Sequence, residues 1–384
     1  MRAMKQAVVL GCGMVGTAMV RDLADDPAFQ VTVVDSRPRA LARFEGDPRI
    51  RTCQADLGAP GDVGRAIAEA DIVLGALPSA VGLQTLRAVI EAGKPYVDIS
   101  FMAEDATVLD PLARERGVIA VVDCGIAPGV SNMMAGHAAA VLDRCDRIEI
   151  LVGGLPVERR LPFNYKAGFA PSDVIEEYVR PARLVEHGAI VIRDALSEPE
   201  YVDFPSVGTL EAFNTDGLRS LATTLSVPRM REKTLRYPGH IDLMRAMRDV
   251  GLFSKVPIEV NGVTVRPLDV TSALLFPLWT YEDREADLTV MRVIAWGVQD
   301  GAATEYRWDV HDVYDPVSNT RSMSRTTAYP ATAMARMIAS GRFPLGPGVY
   351  PPEIPARAPG VLAEILAALD QRGVRCASTV VKTA

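Results

Sequence analysis

Cysteine and histidine are scarce: five cysteines and four histidines stand in a chain of 384 residues. Cys12, Cys53, Cys124, Cys145 and Cys376 are scattered, odd in number and form no C-x-x-C pair. That pattern predicts free thiols in a reducing compartment rather than a disulfide framework. No histidine falls at ligand spacing from a cysteine, so the reading contains no metal site. A basic excess is missing too, since 41 Lys+Arg against 48 Asp+Glu leave a net charge of −7. Such a chain has no electrostatic footprint for nucleic acid or for an anionic membrane surface. No secretory leader is read, because residues 1–13 run directly into an apolar strand and a glycine-rich turn. The uncharged run 124–142 is broken by Gly125, Pro128, Gly129, Gly136 and His137, which predicts no transmembrane span. These exclusions leave a cytoplasmic protein with a small-molecule substrate. At 48% hydrophobic and 23% charged residues its composition is globular, and its length predicts two or three domains at about 150 residues each.

The first 125 residues alternate apolar runs with amphipathic segments. The runs 5–11 (KQAVVLG), 30–35, 50–56, 72–77, 95–100 and 118–124 read as strands buried on both faces. Helical spacing at 14–25 and near 38–45, 61–69, 80–92 and 104–116 separates them. This predicts an α/β, Rossmann-type doubly wound parallel sheet, with ligands at the carboxyl ends of its strands.

At the first such end stands Gly11-Cys12-Gly13-Met14-Val15-Gly16. Gly11 permits a tight turn, Gly13 lets backbone approach a pyrophosphate, and Gly16 lets the helix lie close to the strand. Asp35 follows at the end of the second strand, nineteen residues after Gly16. A carboxylate there accepts hydrogen bonds from both adenine-ribose hydroxyls and repels a 2′-phosphate, which favours NAD over NADP. Arg37 can pair with a 2′-phosphate or lie over the adenine. Asp56 is a candidate for the adenine amino group or a loop aspartate capping a turn. Leu77, Pro78 and Ser100 end the fourth and fifth strands where the nicotinamide ribose belongs. Cys124 ends the sixth, and a buried cysteine there reads first as a small hydrophobe.

From about residue 147 the alternation stops. The segment 147–156 reads as a strand, and Asn261-Gly262 and Asp300-Gly301 mark two hairpins. Helices near 173–185, 215–223 and 239–250 complete an inserted α+β domain. The end of the chain reads as helices at 330–340 and 360–372, joined by a Pro/Gly-rich surface connection at 344–359. The expected division is therefore 1–127 with 326–384 for nucleotide binding, and 128–325 for substrate binding and dimerisation.

Several blocks resemble the saccharopine dehydrogenase superfamily, most closely its lysine 6-dehydrogenase branch. They are the glycine turn, 125–129 (GIAPG) with Ser131-Asn132-Met133, 152–156 (VGGLP), and Asn164-Tyr165-Lys166. Further on come 173–180 (DVIEEYVR), 211–219 (EAFNTDGLR), 232–240 (EKTLRYPGH) and 348–353 (GVYPPE). The resemblance implies that the inserted domain closes the substrate cleft and joins two subunits, giving a homodimer or larger assembly. Saccharopine-forming relatives resemble G-L-D-P-G where this chain has Ala127, which moves the expectation towards a free amino acid such as lysine.

The implied reaction is NAD-dependent oxidative deamination of the lysine ε-amine to the 6-semialdehyde, which cyclises to 1-piperideine-6-carboxylate. It needs a guanidinium for the carboxylate and a group that takes a proton from the amine. Arg219 is read as the carboxylate fork or as one half of a structural salt bridge, supported by Asn214 and Thr215, with Ser100 also facing the substrate. His240, with an ordinary pKa near neutrality, is read as the proton-transfer group or as a structural histidine capping the helix after it. Lys166 is read as a solvated strand lysine or as a group that polarises the imine or activates water, while Glu177 and Arg180 are expected to pair at i,i+3. Two alternatives stay open: an opine-type secondary-amine dehydrogenase, and a non-catalytic NAD-binding regulator.

Overall fold

In the computed structural model, residues 4–58 and 61–383 are described. Residues 1–3, 59–60 and 384, which fall within the expected nucleotide-binding segments, lie outside them. The chain divides into one unit of Met1–Ala140 with Ser324–Arg375, and a second of Val141–Met323 with Cys376–Ala384.

The first unit is built on a seven-stranded, all-parallel sheet. Its strands are β1 (Lys5–Leu10), β2 (Phe29–Asp35), β3 (Ile50–Gln54), β4 (Ile72–Gly75), β5 (Tyr96–Asp98) and β6 (Ile119–Val121). The spatial order is Gly348–Tyr350, β6, β5, β4, β1, β2, β3, so the order reverses at β1. Ala7, Val9, Leu10, Val31, Val33, Ile72 and Leu74 are fully buried. Each such valine, leucine or isoleucine side chain contributes about 1.5–3 kcal/mol relative to exposure. The chirality of parallel crossovers sends helices to both faces, leaving the strand ends beside β1 open to a ligand.

The seventh strand corrects the expectation of a surface connection at 344–359. Gly348–Tyr350 is buried and pairs in parallel with β6. Three residues are too few to show a period, so its pairing was hidden behind the prolines around it.

The second unit carries a nine-stranded mixed sheet. Its strands are β7 (Arg144–Pro156), β8 (Ala182–Glu186), β9 (Ala189–Arg193), β10 (Glu200–Phe204), β11 (Gly208–Asn214) and β12 (Met230–Arg236). A separate hairpin, β13 (Ile258–Val260) and β14 (Val263–Val265), precedes β15 (Asp287–Gln299) and β16 (Ala302–Val313). The path runs β10, β11, β12, β7, β15, β16 and then Cys376–Thr383, with β8 and β9 attached to β12. Both hairpin turns place two residues at positive φ, Asn261 and Gly262 at 50° and 79°, Asp300 and Gly301 at 55° and 78°. Turns of that hand match the twist of the strands they join.

Five other expectations are corrected. Cys376–Thr383 pairs antiparallel with β16 and falls in the second unit, not with the nucleotide-binding segments. Helix Val130–Val141 falls in the first unit as far as Ala140, beyond the expected boundary at 127. The helix expected at 173–185 ends at Val179, because Arg180 precedes Pro181 and takes an extended ψ of 124°. The helix expected at 215–223 contracts to Leu221–Thr224. The last long helix begins earlier than 330, running Ser322–Ala339 with Pro330 inside it.

Candidate active site

In the first unit the glycine turn leaves β1 at the point where strand order reverses. Gly11 has φ 99°, and a Cβ there would stand 2.4 Å from the Ala76 carbonyl oxygen. A Cβ on Gly16 would stand 2.0 Å from the Gly11 carbonyl oxygen, so the helix could not lie this close to the strand. Gly13 caps helix Met14–Ala24 with no side-chain hydrogen bond, and a Cβ there would meet nothing within 4 Å. The first N–H groups of that helix therefore keep their capacity for an anion, and the turn fits the pyrophosphate of a dinucleotide. Met14 is half-buried and Val15 buried at the start of the helix.

Asp35 closes β2 and is tied to the turn. Its Oδ2 accepts from the Cys12 N–H at 2.7 Å and from Arg37 Nη2 at 3.1 Å; its Oδ1 accepts from the Arg37 N–H at 2.9 Å and Nε at 3.0 Å. Burial acts to raise the Asp35 pKa, but these bonds outweigh it and hold the carboxyl below its ordinary value. Asp56 is exposed and its Oδ1 accepts from the Gly58 N–H at 3.0 Å, the geometry of a turn cap. Leu77 and Pro78 follow β4.

Ser100 is buried, with Oγ 2.9 Å from Asp98 Oδ1 and 3.2 Å from the Leu77 carbonyl oxygen. Asp98 was not singled out from the sequence, where an aspartate at a strand end reads as solvated. It is fully buried, also accepts from the Tyr96 hydroxyl at 3.2 Å, and is pushed up to about 7, chiefly by burial. Cys124 is fully buried and its thiol is pushed far up by burial and by the charges of Asp123 and Asp98. That environment suits a packed side chain and not a nucleophile.

In the second unit the two most distinctive blocks are neighbours. EAFNTDGLR supplies β11 and the turn after it, EKTLRYPGH supplies β12, and Glu211 pairs with Arg236, Phe213 with Thr234, and Asn214 with Lys233. Strand alternation then puts Thr215, Glu232, Thr234 and Arg236 on one face and Asn214 with Lys233 on the other. On the first face Glu232 Oε2 accepts from the Thr215 hydroxyl at 2.6 Å and the Gly217 N–H at 3.0 Å. Burial, and then the nearby Glu177 charge, push Glu232 up to about 8 against those bonds. Arg236 Nη2 donates to Glu177 Oε2 at 2.7 Å, and the guanidinium lies 4.5 Å from the Tyr165 ring centre. Glu177 thus pairs across the fold with Arg236, and Arg180 lies nearer Glu176, which corrects the expected Glu177–Arg180 pair.

His240 is buried with both ring nitrogens engaged, Nε2 2.9 Å from the Tyr178 hydroxyl and Nδ1 2.9 Å from the Phe163 carbonyl oxygen. A carbonyl only accepts, so Nδ1 carries the proton and Nε2 accepts from Tyr178. Burial and the Arg236 charge push His240 down to about 3, correcting the expectation of a histidine that titrates near neutrality. Lys166 Nζ meets Glu285 Oε2 at 2.5 Å, both side chains nearly buried. Arg219 is buried in the left-handed region with φ 52°, and its charge adds to burial in lowering the pKa of Arg180. Asp216 lies in the same group, forked by Arg183 at 2.8 Å from both Nε and Nη2. Asn214 instead donates to Ser197 Oγ at 3.0 Å and Glu198 Oε2 at 3.1 Å.

Thr215 is therefore grouped with Glu232, and His240 with Arg236 and Tyr165, whose ring centre lies 5.0 Å from that of His240. Asn214 is held apart. Glu232, Arg236 and Tyr178 were missed by sequence reasoning, although all three lie inside blocks that the family resemblance had marked. Among the described residues no group of three or more His, Cys, Asp or Glu could hold a metal ion. Nor is any described helix long and apolar enough to cross a membrane.

Comparison with known proteins identifies the family. Residues 7–121 match the saccharopine dehydrogenase NADP binding domain and residues 125–374 the saccharopine dehydrogenase C-terminal domain. Carboxyaminopropylagmatine dehydrogenase of Synechocystis sp. is 22% identical over 88% of this chain and 90% of its own length. Carboxynorspermidine synthase of Vibrio cholerae is 25% identical over 73% of this chain and 72% of its own. The apo structure of saccharopine dehydrogenase (L-Glu forming) from Saccharomyces cerevisiae superposes with a TM-score of 0.79 at 18% identity. That match covers 98% of this chain and all of the yeast one, and shows a shared fold. The chain belongs to the saccharopine dehydrogenase family, as an oxidoreductase whose first unit is an NAD(P)-binding domain.

Proposed function

We propose that the protein is a NAD-dependent amine dehydrogenase that oxidatively removes the ε-amine of L-lysine. The reading is carried by one observation: three of the distinctive blocks gather Glu232, a buried carboxyl pushed up to about 8, with Glu177 and the Arg236 that pairs with it. A lysine ε-ammonium has a pKa of about 10.4 and must lose a proton before its carbon can give up a hydride. A carboxylate pushed up to about 8 is matched to that transfer, and the Thr215 hydroxyl orients it. We assign the proton to Glu232 in preference to His240, which burial and the Arg236 charge push down to about 3.

Arg219 is assigned the substrate carboxylate, since a guanidinium recognises it with two parallel bonds. His240 is assigned the positioning of Tyr178, and Lys166, engaged by Glu285, that of Tyr281, whose ring centre lies 5.8 Å from its Nζ. Ser100 is assigned the nicotinamide end of the cofactor, and Asp35 the preference for NAD. The nicotinamide, when bound, accepts the hydride from the carbon that carries the amine. Water then adds to the carbon–nitrogen double bond, ammonia leaves, and the aldehyde closes onto the α-amine.

A second reading rests on the relatives, which are named for carboxyaminopropylagmatine, carboxynorspermidine and saccharopine. In it the protein joins an amine to an oxo acid reductively. A panel separates the two: oxidised cofactor with single amino acids, and NADH with amine and oxo acid together. Reduction of NAD by lysine alone supports the first reading. Turnover restricted to the paired substrates overturns it, and tight cofactor binding with no turnover points to a regulator.

A further inference from the structure

The Thr215 and Gly217 bonds to Glu232 end on the same oxygen. The turn that follows β11 brings the Thr215 hydroxyl to 2.6 Å and the Gly217 N–H to 3.0 Å of Oε2. The backbone comes this close because residue 217 has no side chain. A Cβ there would stand 2.3 Å from Glu232 Cδ and 2.4 Å from Oε2, so the carboxyl could not keep its seat. The Thr215 hydroxyl has a second neighbour, the Thr234 hydroxyl at 2.8 Å. Thr234 lies two residues beyond Glu232 on the same face of β12. It is buried, and its backbone is anchored between Phe213 of β11 and Val152 of β7.

The direction of this chain of bonds follows from the hydrogens available. A hydroxyl carries one hydrogen, and an ionised carboxylate only accepts. The Thr215 hydrogen therefore goes to Oε2, and the contact between the two threonines uses the hydrogen of Thr234. Thr234 donates to Thr215, and Oε2 accepts from Thr215 and from the Gly217 N–H. A proton added to Oε2 has to break into that arrangement, whereas one added to Oε1 leaves every bond in place.

We propose that Glu232 exchanges the substrate proton through Oε1, and that Gly217 and Thr234 are positioning residues that keep Oε2 a fixed acceptor. The inference rests on the reading of Glu232 as the proton acceptor. The same donors serve both protonation states, so no hydroxyl turns when the proton arrives. Each donor on Oε2 also favours the ionised carboxyl, so removing one raises the pH at which Glu232 becomes a base.

The test is the pH dependence of kcat/KM for lysine on the full chain, in variants graded by their distance from Oε2. Thr215→Val removes a donor to the carboxylate and is expected to move the rising limb up by about one to two pH units. Thr234→Val keeps the side-chain shape and removes only the donor behind Thr215. It is expected to move the limb the same way by about 10–30% of the Thr215→Val shift. Thr234→Ser keeps the hydroxyl and is expected to return the limb to its wild-type position. Gly217→Ala is expected to lower kcat at least about tenfold while KM changes less than about twofold. If Gly217→Ala does not fold, the threonine series decides alone. A Thr234→Val limb that matches wild type, a shift that serine does not reverse, or wild-type kcat in a folded Gly217→Ala would overturn the inference. A rising limb that persists unchanged in Glu232→Gln would instead overturn the reading of Glu232 as the base, and this inference with it.

Discussion

Burial and the Arg236 charge push His240 down to about 3, which makes it a poor proton acceptor, and the proposed reaction therefore gives the amine proton to Glu232. If Glu232 takes the amine proton it must first lose its own, so kcat/KM for lysine should rise with pH through about 8. Glu232→Gln should flatten that limb and lower kcat by roughly 10²-fold or more, read from pH–rate profiles. His240 has a different signature, in stability. Its folded pKa is depressed to about 3 while an unfolded histidine titrates at 6.5. Between these values the unfolded chain takes up a proton that the folded one refuses, so stability falls as pH drops below about 6.5. Glu232 acts in the opposite sense, because its folded pKa is raised and its contribution declines as pH rises from 4.5 towards about 8. His240→Gln should therefore lose less stability than wild type between about pH 7 and about pH 5, measured by denaturant midpoints. At this scale the sequence was only partly readable. EAFNTDGLR reads as one polar block, yet alternation along β11 sends Asn214 away from Thr215. Nothing in the sequence pairs Arg236 with Glu177, which comes from a helix 59 residues earlier.

Elements with a strong local signature were legible. The run KQAVVLG, its glycine turn and the helix beyond it stand where their residues demand, and the Asn261-Gly262 and Asp300-Gly301 hairpins close on the turn chemistry alone. Elements that depend on a distant partner were not. Gly348–Tyr350 becomes a strand only because β6 offers it an edge, and Cys376–Thr383 only because β16 does. The latter carries a testable consequence. Ending the chain at residue 375 removes the strand that covers the outer edge of β16, and an uncovered edge is a template for association. The shortened protein should unfold at lower temperature and scatter more light on heating, while its first unit still binds NAD(P)H. Unchanged unfolding and scattering would mean that the strand adds nothing to the second sheet.

For the molecule as a whole, the division of labour follows from two kinds of sheet. The parallel one ends in a turn that suits a dinucleotide. The unit of the mixed one carries the buried ionisable group of Glu232, Glu177 and Arg236. The net charge of −7 has no bearing on that group, which is set by pairing and burial at a few residues. The central claim is the fate of the lysine ε-nitrogen, and one measurement follows it directly. L-lysine labelled at that nitrogen is incubated with the protein and NAD, and the label is located when the reaction stops. The account predicts labelled ammonia in amounts equal to the NADH formed. Label retained in a secondary amine, or in a product that has lost its α-nitrogen instead, would contradict it.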